Sequence, residues 1–296
     1  MSIEGREKYP ITFDRLIEAG ITEAFRRISE RYGLAEGLDY HNAWHTKNVI
    51  RRTKTILKAI ASTDQKTARL GELTAAWHDV VQNFNTEEET IGLFTKKMRK
   101  RSVVENEETS AEEACDYLDA LSKENGNAIL FSDTDREVVR RGIHVTIPDF
   151  HPEQGTVIQP NLTHESDLVA RAVALADIGA AGMDGPDIFG QEGDALFREE
   201  NIDISDALRN QEYMSPSRKE FFRGRMIEWS EGQEQFAAGR KALFDAELQG
   251  LSKEEQEAVR PLFSKFDESI QGMREKTERR KEMPFDELVR DFGYTK

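Results

Sequence analysis

Cysteine occurs once in 296 residues, at Cys115, so no disulfide can close within the chain and no cysteine pair can hold a structural zinc. A reducing compartment suits such a chain, and a small buried apolar role suits that one thiol. No stretch approaches the roughly 20 apolar residues that a membrane-spanning helix needs, and the opening MSIEGREKYP has no apolar core of an export signal. The expectation is a cytoplasmic protein with no membrane partner. Positive charge is scarce too, because 41 lysines and arginines against 56 aspartates and glutamates leave a formal net charge of −15. That field repels polyanions and argues against a nucleic-acid polymer as partner. Walker-type glycine loops and Gly-x-Ser-x-Gly elbows are missing, which removes the P-loop NTPase and serine hydrolase classes. Alternating strand patterns are nearly missing as well. Thr156-Val157-Ile158 and Ile202-Asp203-Ile204 are β-prone but short.

What the chain does have is helical periodicity, with 38% hydrophobic and 33% charged residues, as amphipathic helices with charged outer faces require. Phe13, Leu16, Ile17, Ile21, Phe25 and Ile28 form one apolar stripe over residues 12–32, and Gly33 stands where a C-terminal cap belongs. A second helix is predicted from about 42 to 61 and a third from about 65 to 81, the latter carrying Leu70, Leu73 and Trp77 inward. Ser110-Ala111-Glu112-Glu113 reads as a capping box that opens a helix, and residues 134–143 as a short one. Pro148, Pro152, Gly155 and Pro160 mark an irregular connection. Leu168, Ala172, Leu175, Ala176 and Gly179 then form a small-residue stripe around Asp177. Residues 217–248 keep helical spacing among many charges, Ser252 and Glu255 form another capping box, and Pro261 should end or kink the helix that this box opens. The predicted fold is all-α, a helical bundle over 1–230 with a C-terminal helical extension over 231–296 packed on the core.

Chemistry concentrates at a few positions. His41 and His45 are four apart on a predicted helix, so both imidazoles should project from one face. His78-Asp79 and Asp177 lie in the most apolar helical stretches, where an unpaired carboxylate is expensive. A histidine pair or a single buried aspartate is by itself more often a satisfied structural feature. A cation shared by Asp79 and Asp177, with His45 and His78 completing a mixed nitrogen and oxygen shell, resolves both costs at once. Such a shell suits a transition metal, Mn²⁺ or Mg²⁺.

The order His41-Asn42-Ala43-Trp44-His45, then His78-Asp79, then Asp177 resembles the H…HD…D pattern of the HD superfamily of metal-dependent phosphohydrolases. Tyr40-His41-Asn42-x-x-His45 is similar both to cyclic-nucleotide phosphodiesterases and to a group of predicted bacterial HD phosphohydrolases. Asn106-Glu107-Glu108-Thr109-Ser110-Ala111 matches an element of the second group, and Glu212-Tyr213 with Arg218, Phe222 and Arg225 does so more loosely. The resemblance spans about residues 35 to 230. It implies an HD-domain bundle in which His45, His78, Asp79 and Asp177 hold a divalent metal (Mn, Mg, Zn, Ni or Fe, one ion or two), with His41 and Asp79 in the catalytic machinery and His41 as proton donor. Glu107 or Glu108 is then a candidate for a second ion or for the layer behind the ligands, with a solvated helix N-terminus as the equal alternative. His144 is a weaker candidate ligand for a second ion, and a satisfied buried histidine is the plainer reading.

The expected activity is hydrolysis of a phosphate ester in a small phosphorylated metabolite or nucleotide. Arg140, Arg141, Arg218 and Arg223 are the candidate phosphate partners, although arginines on helices are usually solvated surface. The purine-gripping glutamine and aromatic clamp of the phosphodiesterases are not identifiable, so cyclic nucleotides are only one candidate. A di-iron oxygenase and a non-catalytic HD module that binds a nucleotide or a protein are the alternative functions. A homodimer through the acidic C-terminal helices is a partner expectation, with helices packed on their own core the commoner case.

Overall fold

The structure, a computed structural model, describes residues 11–32, 37–125 and 130–294. Gly33, the expected cap of the first helix, lies outside the described residues. Helices α1 (Phe13–Tyr32), α2 (Ala43–Ala59) and α3 (Gln65–Trp77) come first in the chain, and α3 forms the centre. Asp64 caps α3 by accepting a hydrogen bond from the Thr67 amide at 2.7 Å. Every residue from Leu70 to Trp77 is buried, because α3 packs against α1 and α2 as well as against two later helices, α5 (Asp133–His144) and α6 (Leu168–Asp177). Trp77 is wholly buried and its indole N–H donates to the Gly20 carbonyl at 3.0 Å. Gly20 permits that approach, since a Cβ there would lie 2.8 Å from Leu73 Cδ1.

The all-α expectation needs correction between α3 and the next helix. Strands β1 (Phe84–Ile91) and β2 (Phe94–Arg101) form an antiparallel hairpin, in register from Phe84↔Arg101 to Ile91↔Phe94. Gly92 takes φ 62 in the two-residue loop, the left-handed first position that primed hairpin turns use. The strands escaped the period-two search because neither face buries a full apolar row: Glu87, Glu88 and Glu89 run against Lys96, Lys97 and Lys100, and charge pairing replaces hydrophobic alternation. A second small hairpin, β3 (Asp149–His151) with β4 (Thr156–Ile158), takes up one of the two β-prone segments. The other, Ile202-Asp203-Ile204, opens a helix instead.

Helix α4 (Glu105–Glu124) starts five residues before the capping box expected at Ser110. The Ser110 hydroxyl is buried and accepts the Val81 amide at 3.0 Å, so it pins the turn after α3 rather than capping α4. After α6 come α7 (Ala180–Met183), α8 (Pro186–Glu200) and α9 (Ile202–Arg209). Helix α10 (Pro216–Glu247) is one continuous rod running through residue 230, capped by Ser215. Helices α11 (Lys253–Val259), α12 (Phe266–Lys281) and α13 (Phe285–Asp291) complete the order, with a 3₁₀ turn at Arg260–Phe263 where Pro261 was expected to break the helix. The main core surrounds α3, and a second cluster built on Phe197, Phe222, Met226, Leu288 and Phe292 joins α8, α10 and α13. No helix among the described residues is long and apolar enough to cross a membrane.

Candidate metal centre

Three helix ends converge to make the site. Asn42 caps α2, its side-chain oxygen accepting the Trp44 amide at 2.8 Å and its amide donating to the Leu38 and Asp39 carbonyls. His45 therefore sits in the first turn of α2 with its ring directed inward and no exposure. His41 lies before the cap, outside the helix, which corrects the expectation of two imidazoles on one helical face. The two rings are still neighbours, with centroids 6.2 Å apart.

Helix α3 ends at Trp77, and Val80 closes a tighter turn onto the Trp77 carbonyl at 3.3 Å. Adjacent side chains would diverge by about 100° on a continuing helix. The ending turn lets His78 and Asp79 both face His45. Asp177 is the last residue of α6, at the end of a stretch in which residues 169 to 176 are all buried.

One donor atom from each of His45, His78, Asp79 and Asp177 lies within 4.8 Å of every other. His45 Nε2 is 3.4 Å from His78 Nε2, 3.4 Å from Asp79 Oδ2 and 3.3 Å from Asp177 Oδ1. His78 Nε2 is 2.9 Å from Asp79 Oδ2 and 3.4 Å from Asp177 Oδ1. Ligands at about 2.1 Å from one ion are separated by roughly 3.0–3.4 Å in octahedral or tetrahedral shells. The spacing fits.

The donor chemistry fits as well. His78 Nδ1 lies 2.8 Å from the Ala75 carbonyl, which can only accept, so Nδ1 carries the proton and the Nε2 lone pair faces the cluster. Two ring nitrogens facing each other across two carboxylates cannot satisfy all partners while both rings are neutral. Of the carboxyl groups on Asp79, Glu107, Asp177 and Glu199, the Arg101 guanidinium reaches the first two, while Asp177 and Glu199 face imidazoles. Burial by itself would push the His45 and His78 imidazoles down, but Asp79 and Asp177 outweigh it and hold both up, His78 strongly. Burial would raise Asp79 and Asp177, and the imidazoles pull both carboxyls well below the ordinary range. The four groups thus stabilise one another's charged forms, and the same donors could hold a metal ion.

Behind the ligands stand residues that sequence reasoning did not select. Gln82 donates to Asp79 Oδ1 at 2.8 Å, and Gln159, just past β4, donates to Asp177 Oδ2 at 3.2 Å. Arg101, the last residue of β2, reaches Asp79 Oδ1 at 3.2 Å and Glu107 Oε1 at 2.8 Å, and its Nε donates to Gln82 at 2.8 Å. Glu199, near the end of α8, takes the His41 Nδ1 proton with one oxygen and accepts the Tyr40 and His41 amides at 2.8 and 3.0 Å with the other. Burial raises the Glu199 carboxyl, and the adjacent His41 imidazole with the two amides outweighs that and lowers it. Gln82 lay within reach of a local signal, being one helical turn after Asp79. Glu199 had none, since 158 residues separate it from His41.

Among the other expected site residues, Glu107 is buried and holds Arg101 while its second oxygen accepts the Val104 amide at 2.8 Å. Glu108 is exposed. His144, at the end of α5, is half-buried and does not join the four donors. Arg140 is exposed, Arg141 pairs with Asp167 at 3.0 Å, Arg218 pairs with Glu212 at 2.9 Å and Arg223 donates to the carbonyls of Met283 and Lys281. None of these four arginines lines the cavity beside the cluster.

That cavity has a volume of about 680 Å³ and runs from Asp177 and Tyr40 to an apolar wall that includes Phe150, Phe189, Trp229 and Phe236. The Asp177 side chain is 14% exposed while His45 is fully buried, so the cluster meets the cavity through Asp177. Lys96 and Met98 of β2 and Glu200 of α8 also line it. No protein-family model matches this chain, and no curated protein or solved structure does either.

Proposed function

We propose that this protein is a metal-dependent phosphohydrolase of the HD type, acting on a small phosphate ester whose organic part rests on the apolar wall of the cavity. One observation carries the reading: three buried donors and a partly exposed fourth, from three helix ends, are gathered at ligand spacing, and the fourth opens onto a cavity large enough for a metabolite. His45, His78, Asp79 and Asp177 would hold a divalent cation, which when bound would supply an activated water at neutral pH and positive charge for the phosphoryl oxygens.

The remaining roles belong to the chain. Glu199 fixes the His41 Nδ1 proton, so that Nε2 is the atom able to carry a second proton toward the departing oxygen. The two amides on Glu199 lock that carboxylate in place, and the imidazole inherits the alignment. Gln82 and Arg101 occupy Asp79 Oδ1 and leave Oδ2 for the cluster. Gln159 does the same for Asp177, occupying Oδ2 and leaving Oδ1. Among the described residues no further histidine joins the four donors, which supports hydrolysis over an oxygen-activating di-iron centre. A cavity that meets the cluster at Asp177 and is lined by Tyr40, the neighbour of His41, supports catalysis over a purely binding module.

Elemental analysis of the purified protein, combined with a panel of phosphorylated metabolites and nucleotides, tests the proposal. Divalent metal near one or two ions per chain and turnover of at least one phosphoester are expected. Asp79→Ala should lose both, with turnover down about 10³-fold or more. A metal-loaded protein inert against the whole panel would sink the hydrolase.

A further inference from the structure

The β1–β2 hairpin carries two cross-strand ion pairs. Lys97 bonds Glu88 at 2.9 Å and Lys100 bonds Glu87 at 2.7 Å. Lys96 stands opposite Glu89 in the register, yet it forms no ion pair or hydrogen bond among the described residues and lines the cavity instead. Lys96 and Met98 are two apart on β2, so the strand's alternation turns both to the same face. Phe94 stacks on Phe221 of α10 with centroids 5.0 Å apart, which anchors this end of the hairpin against the body of the protein.

Lys96 has one rival among the cations of the cavity wall, and that rival is already committed. Arg225 bonds both oxygens of Asp203, at 2.5 and 3.0 Å, and also donates to Asn201. The same wall carries Asp177, Glu192, Glu200 and Glu228, on a chain whose net charge is −15. Glu192 is answered by Arg52 at 2.6 Å, whereas Glu200 and Glu228 have no such partner among the described residues. Of the two cations on this wall, Lys96 is the one without an ion-pair partner among the described residues, and it is the one able to attract an entering anion. Burial and the neighbouring Glu199 raise the Glu200 carboxyl to about 7, with Arg101 and Lys96 pulling the other way.

We infer that Lys96 is the anion-recognition residue of the cavity, binding a phosphate or carboxylate oxygen of the substrate that is turned away from the metal ligands. The hairpin is thereby a specificity element, bracing Asp79 through Arg101 at one end of β2 and presenting a free cation on the same strand. The inference rests on the hydrolase reading for its substrate but not for its test.

Inorganic phosphate is the probe, titrated by calorimetry into the manganese-loaded full-length chain. Lys96→Met should weaken phosphate binding about tenfold or more, as expected for loss of a charge-assisted hydrogen bond. Lys96→Arg should restore most of it, and Lys97→Met, which removes a cation already paired outside the cavity, should leave it unchanged. All three variants should keep wild-type metal content and circular dichroism, since the position is on a solvent-facing hairpin. Where a phosphoester is turned over, Lys96→Met should raise KM more than it lowers kcat. Weakened phosphate binding in a protein that hydrolyses nothing would uphold Lys96 and reject the hydrolase. Intact turnover with unchanged phosphate affinity and KM in Lys96→Met would uphold the hydrolase and reject Lys96. Failure of the manganese-loaded wild type to bind phosphate rejects Lys96 as well.

Discussion

Around Arg280 in the C-terminal helices, and around His78 at the end of α3, the chain buries charge to a similar depth and resolves it in opposite ways. Arg280 is 1% exposed, and its guanidinium meets Asp194 at 2.9 and 2.8 Å, Asp291 at 2.7 Å and the Ser230 hydroxyl at 3.0 Å. Lys276 adds a second cation on Asp194 at 2.7 Å. That network is complete in itself. At the candidate metal centre the carboxylates of Asp79 and Asp177 face two imidazoles, and Arg101 reaches only one of them. The difference separates structural from chemical burial: a closed ion network stabilises or merely specifies the fold, whereas an open one leaves room for a ligand that the chain does not encode.

Substitutions should expose the contrast, beginning with the largest effect on stability. Asp194→Ala leaves Arg280 and Lys276 short of their shared partner and should cost about 3–5 kcal/mol in denaturant unfolding, while the folded fraction keeps its full metal content. Metal loss in that variant would erase the distinction between the two regions. Next in size is Glu199→Gln, which keeps the shape but removes the charge that holds His41. A fall in kcat of about 10- to 100-fold is expected, with KM and metal content held. The loss should shrink for substrates with a good leaving group, such as a nitrophenyl phosphate, because these need less help from a proton donor.

The third test is pH. In the metal-free protein the raised imidazoles of His45 and His78 contribute stability that is present below their unfolded value of 6.5 and is lost as pH rises through the folded values. The lowered carboxyls of Asp79 and Asp177 contribute stability that is present above 3.8 and is lost as pH falls through theirs. Thermal melts after chelation should therefore show the cluster's support greatest between 3.8 and 6.5 and declining above. Saturating metal, by displacing the ring protons, should remove that alkaline decline. Identical pH curves with and without chelator would count against a metal at this site.

The smallest effect concerns strain, which marks the metal side of the comparison. Val104 joins β2 to α4 at φ 77 and ψ −56, a conformation that a β-branched residue adopts only under constraint. Its amide is bonded to Glu107, which holds Arg101 and through it Asp79. Val104→Gly should stabilise the protein by about 1 kcal/mol in thermal melts, with metal affinity equal or slightly lower.

Much of this was legible in the linear chain. The stripes of α1, α2, α3 and α6 repeat at helical spacing, and the ligand candidates stood out because carboxylates and imidazoles interrupted runs that were otherwise apolar. His78, Asp79 and Asp177 stand out on that ground, His45 through its four-residue spacing from His41, and the set of four through the H…HD…D resemblance; the structure brings all four together. The hairpin was not legible, because its strands are held by charge pairs and carry no alternating apolar face. The four arginines chosen as phosphate partners illustrate the same limit: residue type is local, but whether a guanidinium is free or occupied depends on neighbours from elsewhere in the chain.

Periodicity, which involves residues a turn or two apart, was thus enough to determine most of the helices, and local cost together with the H…HD…D resemblance to mark the atoms that could hold a cation. Tertiary structure alone decided which side chains stand behind those atoms: Glu199 beneath His41, Arg101 on Asp79, Gln159 on Asp177, and Lys96 turned into the cavity. The physical reason is range. A helix is closed by hydrogen bonds four residues apart and shows in its own sequence, while a carboxylate meeting an imidazole across 158 residues leaves no local trace until the chain has packed.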